Sequence, residues 1–390
     1  KAMDSVVAEL PESGGRRAEV IIVMQESVYD MTKAEGVSFS EPVLPNDQRL
    51  ANEGVTGSVL QDKRGGGTSD FEFAVLTGFS TSFLATGSVP YIEYTYPDFP
   101  SLPWFYSNAG YRTAAIHPYQ ASSYNRTSVY KDMGFERFIT ENDFDSTDVM
   151  GNYIGDDALA HRIIAEYEQL SAEGENVFIH AVSMQNHSPY DPGVYPAGHT
   201  VNATVEDFDD TFNQSFSTLA TGIRDADALM GTLTDYFRTV DRDVALLFFG
   251  DHQTSVLLEG ESAQDFMETG PTYQNASAAE QFAITHTTPY LFWANYARQP
   301  GQGGLLTADR LGTSFLQTCD VLRPAWFNWL AGQNGSLGGS TAGYCVNPDN
   351  TLTGQPTLEQ SSLLSKQEMF QYDLLFGRKR ALDAIYSLPE

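Results

Sequence analysis

The chain has 390 residues, 41% of them hydrophobic, and carries 51 acidic against 22 basic side chains for a formal net charge of −29. That much apolar material excludes a disordered segment, and the negative field excludes nucleic acid as a partner and simple electrostatic docking on an anionic membrane. No apolar run reaches the roughly 18 residues that a membrane-spanning helix needs.

Residues 1–18 lack a signal-peptide pattern and read as a polar linker from a missing membrane anchor. "EVIIVMQ" (19–25) reads as a buried strand that ends at Glu26. In "RGGGTSDFEFAVLTG" (64–78), three glycines permit positive φ and the close approach of a ligand. The hydroxyl of Thr68 is expected to cap the partly buried helix that follows, at an N-terminus that favours an anion. Residues 101–110 read as a helix, and "YRTAAIH" (111–117) as a strand ending in His117. "HPYQASSYNR" (117–126) adds Tyr124 and Arg126, and the planar fork of an arginine matches phosphate oxygens. A helix over 155–172 leads to the strand "NVFIHAVSM" (176–184) and then to His187, in a polar loop suited to acid–base work or phosphate binding. A long amphipathic helix over 204–240 precedes the strand "DVALLFFGDH" (243–252), which ends in Asp251 and His252. "TTPYLFWAN" (287–295) is a fifth strand; His286 before it reads as supporting or structural, and His161, His180 and His199 as structural or surface residues. Residues 333–356 read as a long Gly/Ser/Asn-rich loop and 358–382 as a helix with a basic end. Cys319 and Cys345 fit either one bridge in an exported protein or two buried thiols, with the loop-like surroundings of Cys345 favouring the bridge.

Continuous apolar strands alternating with helices predict an α/β fold: a mostly parallel central sheet with helices on both faces over 19–332, with 333–390 as a small C-terminal element. In such sheets ligands bind at the carboxyl edge of the strands. Taken singly, each strand-end carboxylate or histidine is as readily a capping or surface group; four of them at one edge are not. Glu26, Thr68, Asp251 and His252 together offer three oxygen donors and an imidazole, a set for one divalent cation that suits Mn²⁺ or Mg²⁺ better than Zn²⁺, although Zn²⁺ also fits. A cation on the threonine oxygen supplies a nucleophile at neutral pH.

"VIIVMQES", "GGGTSDFEFAVLTG", "AIHPYQASSYNRTSVYKDMGFERF", "SMQNHSPY" and "FFGDH" occur in an order that resembles the lipoteichoic acid synthase-like phosphoglycerol transferases of the alkaline phosphatase/sulfatase superfamily, over roughly residues 19–330. The resemblance implies one metal, usually manganese, on Glu26, Thr68, Asp251 and His252. It also implies Thr68 as nucleophile, His117, Tyr124, Arg126 and His187 around the glycerophosphate group, and proton transfer at His187. Tyr124 stands where those synthases usually carry tryptophan, and Gly67 where some carry lysine. The Cys/Ser-x-Pro-x-Arg signature that yields formylglycine is absent, which counts against sulfatase activity. The implied activity is transfer of glycerol phosphate from the phosphatidylglycerol head group to a cell-wall or lipid-linked glycan acceptor, by the ectodomain of a membrane-anchored protein on the outer face of the cell membrane. The alternatives are a phosphodiesterase or phosphatase using water, and an inactive binding module for anionic wall polymer.

Overall fold

Among the described residues, eight short strands, most of them apolar, assemble into one central sheet. A computed structural model describes residues 2–254, 266–268, 270–296 and 300–388. The strands are β1 (Glu19–Gln25), β2 (Val55–Leu60), β3 (Arg112–Ile116), β4 (Arg137–Ile139), β5 (Val177–Val182), β6 (Val244–Gly250), β7 (Thr287–Ala294) and β8 (Gly301–Thr307). Their order in space is β8-β2-β7-β6-β1-β5-β3-β4, and β7 alone runs against the rest. The expected mostly parallel α/β sheet is present, with β2, β4 and β8 as strands beyond the five predicted.

The alternation of β1 shows why helices cover both faces. Val20, Ile22 and Met24 point into one layer with Phe71, Leu311, Phe315, Trp326 and Phe370. Ile21 and Val23 point into the other, with Leu159, Ile163, Leu229 and Leu233. The main helices are α1 (Thr68–Thr77), α2 (Arg126–Asp132), α3 (Asp156–Ser171), α4 (Asp210–Phe237), α5 (Ala308–Thr318), α6 (Ala325–Ala331) and α7 (Leu358–Leu375). Each fully buried large apolar side chain contributes about 1.5–3 kcal/mol, so this two-layer core is the main stabilising term.

Parallel register positions the chemistry. Gln25 lies opposite Gly250, so the residues that follow, Glu26 and Asp251, leave adjacent strands at the same level. Val182 pairs with Met24, and Ala181 with Ile116, which brings His117 and the loop after β5 to the same edge.

The ends of the chain are docked. Residues 2–18 carry a short helix, Ala2–Val7, and Gly14 and Arg16 bridge to Arg323 and Val321. The loop over 333–356 contains a small hairpin, Cys345–Val346 with Leu352–Thr353. α7 places Phe370 and Leu374 in the main core, and the Gln371 side chain pairs with both the N–H and the carbonyl of Ser80, at 2.8 and 2.9 Å. The expected disulfide does not form. Cys319 and Cys345 are free and buried, Cys319 in the main core at the end of α5 and Cys345 in the hairpin.

Candidate active site

Thr68 opens α1, and the turn into it uses the two glycines that need a left-handed backbone. Gly66 and Gly67 have φ of 71° and 81°. Gly67, not Thr68, is the N-cap, and no side chain caps the helix. This corrects the expectation that the Thr68 hydroxyl caps α1: the glycine makes the turn, and the hydroxyl is free for another partner. That partner is Asp251, whose Oδ2 accepts from Thr68 Oγ1 at 3.0 Å. All ten residues of α1 are buried, the polar Thr68, Ser69, Asp70, Glu72 and Thr77 included.

Glu26, Asp251 and His252 are buried, and their ligand atoms lie within 4.8 Å of one another, the only such cluster among the described residues. His252 Nδ1–H donates to the Gln253 carbonyl at 2.8 Å, which leaves Nε2 for the centre, 3.1 Å from Asp251 Oδ2. Asp251 Oδ1 accepts from the backbone N–H groups of Ser27 and His252. Burial, and then repulsion from Glu26, hold the Asp251 carboxyl well above the usual carboxylate range. Burial would lower the His252 imidazole, but the charges of Asp251 and Glu26 overcome this and raise it. Two buried carboxylates that repel each other beside an imidazole with a free Nε2 fit a divalent cation, with Thr68 Oγ1 available as a fourth donor.

The cluster forms one wall of a cleft of about 310 Å³ that is also lined by Gly65, Gly66, His117, Tyr124, Arg126 and His187. His117 Nδ1–H donates to the Val182 carbonyl at 3.1 Å. Burial, and then the Arg126 charge, push its imidazole down to about 3, so Nε2 is an acceptor at neutral pH. Tyr124 and Asn125, with φ of 52° and 58°, turn the chain sharply so that Arg126 enters the interior at the start of α2. The Arg126 guanidinium lies 5.2 Å from the Tyr124 ring centre. His187 is exposed at the cleft mouth, with Nδ1 2.7 Å from the Ser188 carbonyl and its ring against Tyr153. Seven of the eight residues expected at the site therefore line this cleft, and the eighth, Asp251, is buried behind Thr68 and His252.

Glu72 and His180 carry more than the sequence suggested. Both are fully buried, and Glu72 Oε2 pairs with Arg126 while His180 Nε2 reaches Glu72 Oε1 at 3.3 Å. An acid flanked by two phenylalanines in the buried run "FEFAV" was the available signal, because a buried carboxylate needs partners. His286 does not line the cleft; it stacks on Phe282 with ring centres 3.9 Å apart. His161 is exposed and His199 pairs with Asp225 at 2.8 Å.

This fold, with a hydroxyl and a three-residue acidic/imidazole cluster at the carboxyl edge, defines a class: the chain belongs to the sulfatase family, whose model matches residues 18–321. It is an enzyme of the sulfatase/alkaline phosphatase superfamily of phosphoryl and sulfuryl transferases and hydrolases, and its fold is that of the lipoteichoic acid synthase-like branch. Among particular proteins, it is 31% identical over 332 residues to the "Putative cyclic beta-1,2-glucan modification protein" of Rhizobium meliloti (strain 1021). That match takes in 84% of this chain but 50% of the relative, so the chain spans about half the length of that curated protein. The Streptococcus pyogenes phosphoglycerol transferase GacH, solved with sn-glycerol-1-phosphate, superposes with a TM-score of 0.76 at 21% identity, covering 99% of this chain and 94% of that one. The lipoteichoic acid synthase LtaP of Listeria monocytogenes gives a TM-score of 0.65 at 16% identity, covering 100% and 97%. Among the described residues, no helix is long and apolar enough to cross a membrane.

Proposed function

We propose that the chain is the catalytic part of a metal-dependent phosphoglycerol transferase that moves glycerol phosphate from the phosphatidylglycerol head group to a hydroxyl of a cell-envelope glycan. The observation that carries this reading is the Thr68 hydroxyl, 3.0 Å from Asp251 of the metal-type cluster, facing a cleft with Arg126 and His117. The glycerol phosphate in GacH and the glucan-modification relative support the two halves of the substrate pair.

Glu26, Asp251 and His252, with Thr68 Oγ1, would hold the cation, Mn²⁺ in this reading, and the ion would supply Lewis acidity that lowers the hydroxyl pKa and neutralises phosphoryl charge. Thr68 Oγ1–H points at Asp251 Oδ2, leaving the oxygen lone pairs toward the cleft. Thr68 Oγ1 passes its proton to Asp251 Oδ2 and attacks phosphorus, the bond to the diacylglycerol oxygen breaks, and His187 at the mouth gives that oxygen a proton. A glycerophosphoryl-threonine remains. An acceptor hydroxyl then displaces Thr68, whose oxygen recovers its proton from Asp251, while His187 takes the acceptor's proton. Arg126 donates to the developing phosphoryl charge, and the N-terminus of α1 adds its dipole. His117, with Nε2 as acceptor, suits a glycerol hydroxyl better than a phosphoryl oxygen. In this reading the domain works on the outer face of a membrane, where both lipid donor and glycan acceptor are found.

The test is incubation with labelled phosphatidylglycerol and Mn²⁺, with and without envelope glycan. Transfer of label to glycan is expected for the wild type and is lost in Thr68→Ala. Release of glycerol phosphate at the same rate without acceptor points to a hydrolase, and an active Thr68→Ala protein overturns the covalent route. Absence of Mn²⁺ binding in a direct titration points to a binding module.

A further inference from the structure

Arg126 is 1% exposed, and a buried guanidinium with no fixed counter-charge is both costly and free to point elsewhere. Its counter-charge is Glu72, one helical turn after Thr68 on α1. Arg126 Nη2 and Nε both donate to Glu72 Oε2, the second at 3.2 Å, and Nε also lies 3.1 Å from the Tyr130 hydroxyl. The other carboxylate oxygen is held as well: Oε1 accepts from Tyr130 on α2 and from His180 Nε2 on β5. Burial alone would raise the Glu72 carboxyl, but Arg126 and then His180 hold it well below the usual range, so it stays ionised. One edge of the guanidinium is thereby occupied. Nη1 has no hydrogen-bond partner among the described residues, and Arg126 lines the cleft that Thr68 faces.

We propose that Glu72 is a positioning residue: it fixes the Arg126 guanidinium so that its free edge faces the phosphodiester, and it ties that orientation to the helix carrying Thr68. Because Glu72 shares α1 with the attacking hydroxyl, a shift of α1 would carry the nucleophile and the phosphate-facing donor together. The inference rests on the proposed phosphoryl-transfer reading of the cleft.

The experiment measures kcat and KM, with Mn²⁺ present, on bis(p-nitrophenyl) phosphate and on labelled phosphatidylglycerol for the wild type, Glu72→Gln, Arg126→Gln and the double variant. Glu72→Gln keeps the side-chain volume and removes the charge. It is expected to raise KM on the order of 10- to 100-fold with a smaller loss in kcat, the range seen when groups orienting a site residue are removed. In the Arg126→Gln background it should add nothing further, because its effect passes through Arg126. Mn²⁺ affinity should match the wild type, since Glu72 lies outside the metal-type cluster. Multiplicative effects in the double variant, or an unchanged KM in Glu72→Gln, overturn the proposal. If Glu72→Gln does not fold, Tyr130→Phe removes one donor to Oε1 and leaves the ion pair. A smaller rise in KM then supports the proposal, and an unchanged KM overturns it. A wild type that turns over neither compound overturns the functional reading, and this inference with it; an active wild type with additive variants overturns only the role of Glu72.

Discussion

At the scale of single residues, the site is defined by unfavourable electrostatics. The Asp251 carboxyl, ordinarily near 3.8, is pushed up to about 7 by burial and by Glu26. Between about pH 4 and about pH 7 the folded chain therefore holds a proton that the unfolded chain has released. In ion-free protein, stability is expected to fall as pH rises through that window. His252 acts in the same sense, because its raised value stabilises the fold at low pH and that contribution is lost as it deprotonates. A bound cation removes the repulsion. The gain in Tm on adding Mn²⁺ should therefore be larger at about pH 8 than at about pH 5, by scanning calorimetry. An equal gain at both would count against these residues as the ligands. Asp251→Asn should also weaken Mn²⁺ binding by about 10-fold or more, measured by titration calorimetry, and reduce the pH dependence of the ion-free protein.

Secondary-structure elements hold those residues through their ends, and glycines set the ends. A Cβ at Gly250 would lie 1.9 Å from the Val28 carbonyl oxygen. Gly250→Ala must therefore push the end of β6 away from the segment that follows β1, moving Asp251 from Glu26. Loss of about 1–3 kcal/mol in denaturant unfolding is expected, with weaker Mn²⁺ binding. Gly67 poses a different problem. Its φ of 81° is left-handed, and a Cβ there would meet Lys63 Cδ at 2.8 Å. Gly67→Ala should cost about 1–2 kcal/mol from the backbone conformation alone. It should also lower turnover by tilting the first turn of α1, checked by comparing urea midpoints with kcat.

Across the whole molecule, the C-terminal region belongs to the core that holds α1. The α1 C-terminus is pinned where the Thr77 carbonyl accepts from Trp326 Nε1 at 3.1 Å and from the Tyr386 hydroxyl at 3.0 Å. Buried Arg310 donates to the Leu330 carbonyl and to Gln367 on α7, so α5, α6 and α7 share one polar network. Deleting residues 358–390 would expose Trp326 and Trp329, which pack against Phe370, and leave Arg310 short of a partner. The truncated chain is expected to lose its cooperative thermal transition and to bind a hydrophobic dye. A truncated protein that melts like the full chain would show that this region is a separate unit.

By itself the sequence determined the alternation of buried strands and helices, and it marked the strand-end residues Glu26, His117, Asp251 and His252, because apolar runs and their polar ends are local properties. It also marked Thr68, through the glycines before it. The strands over 55–60 and 301–307 were not legible: "VTGSVL" and "GQGGLLT" are too short in apolar residues, and they are strands because β7 lies beside one and the other pairs along its free edge. The capping role given to Thr68 failed because Gly67 makes the turn, which depends on a backbone angle and not on residue type. The tertiary structure alone decided that Glu72, His180, Tyr130 and Arg126 meet. They come from α1, β5 and α2, and only the packed layers bring an acid, a histidine, a tyrosine and an arginine so distant in sequence within hydrogen-bonding reach of one another.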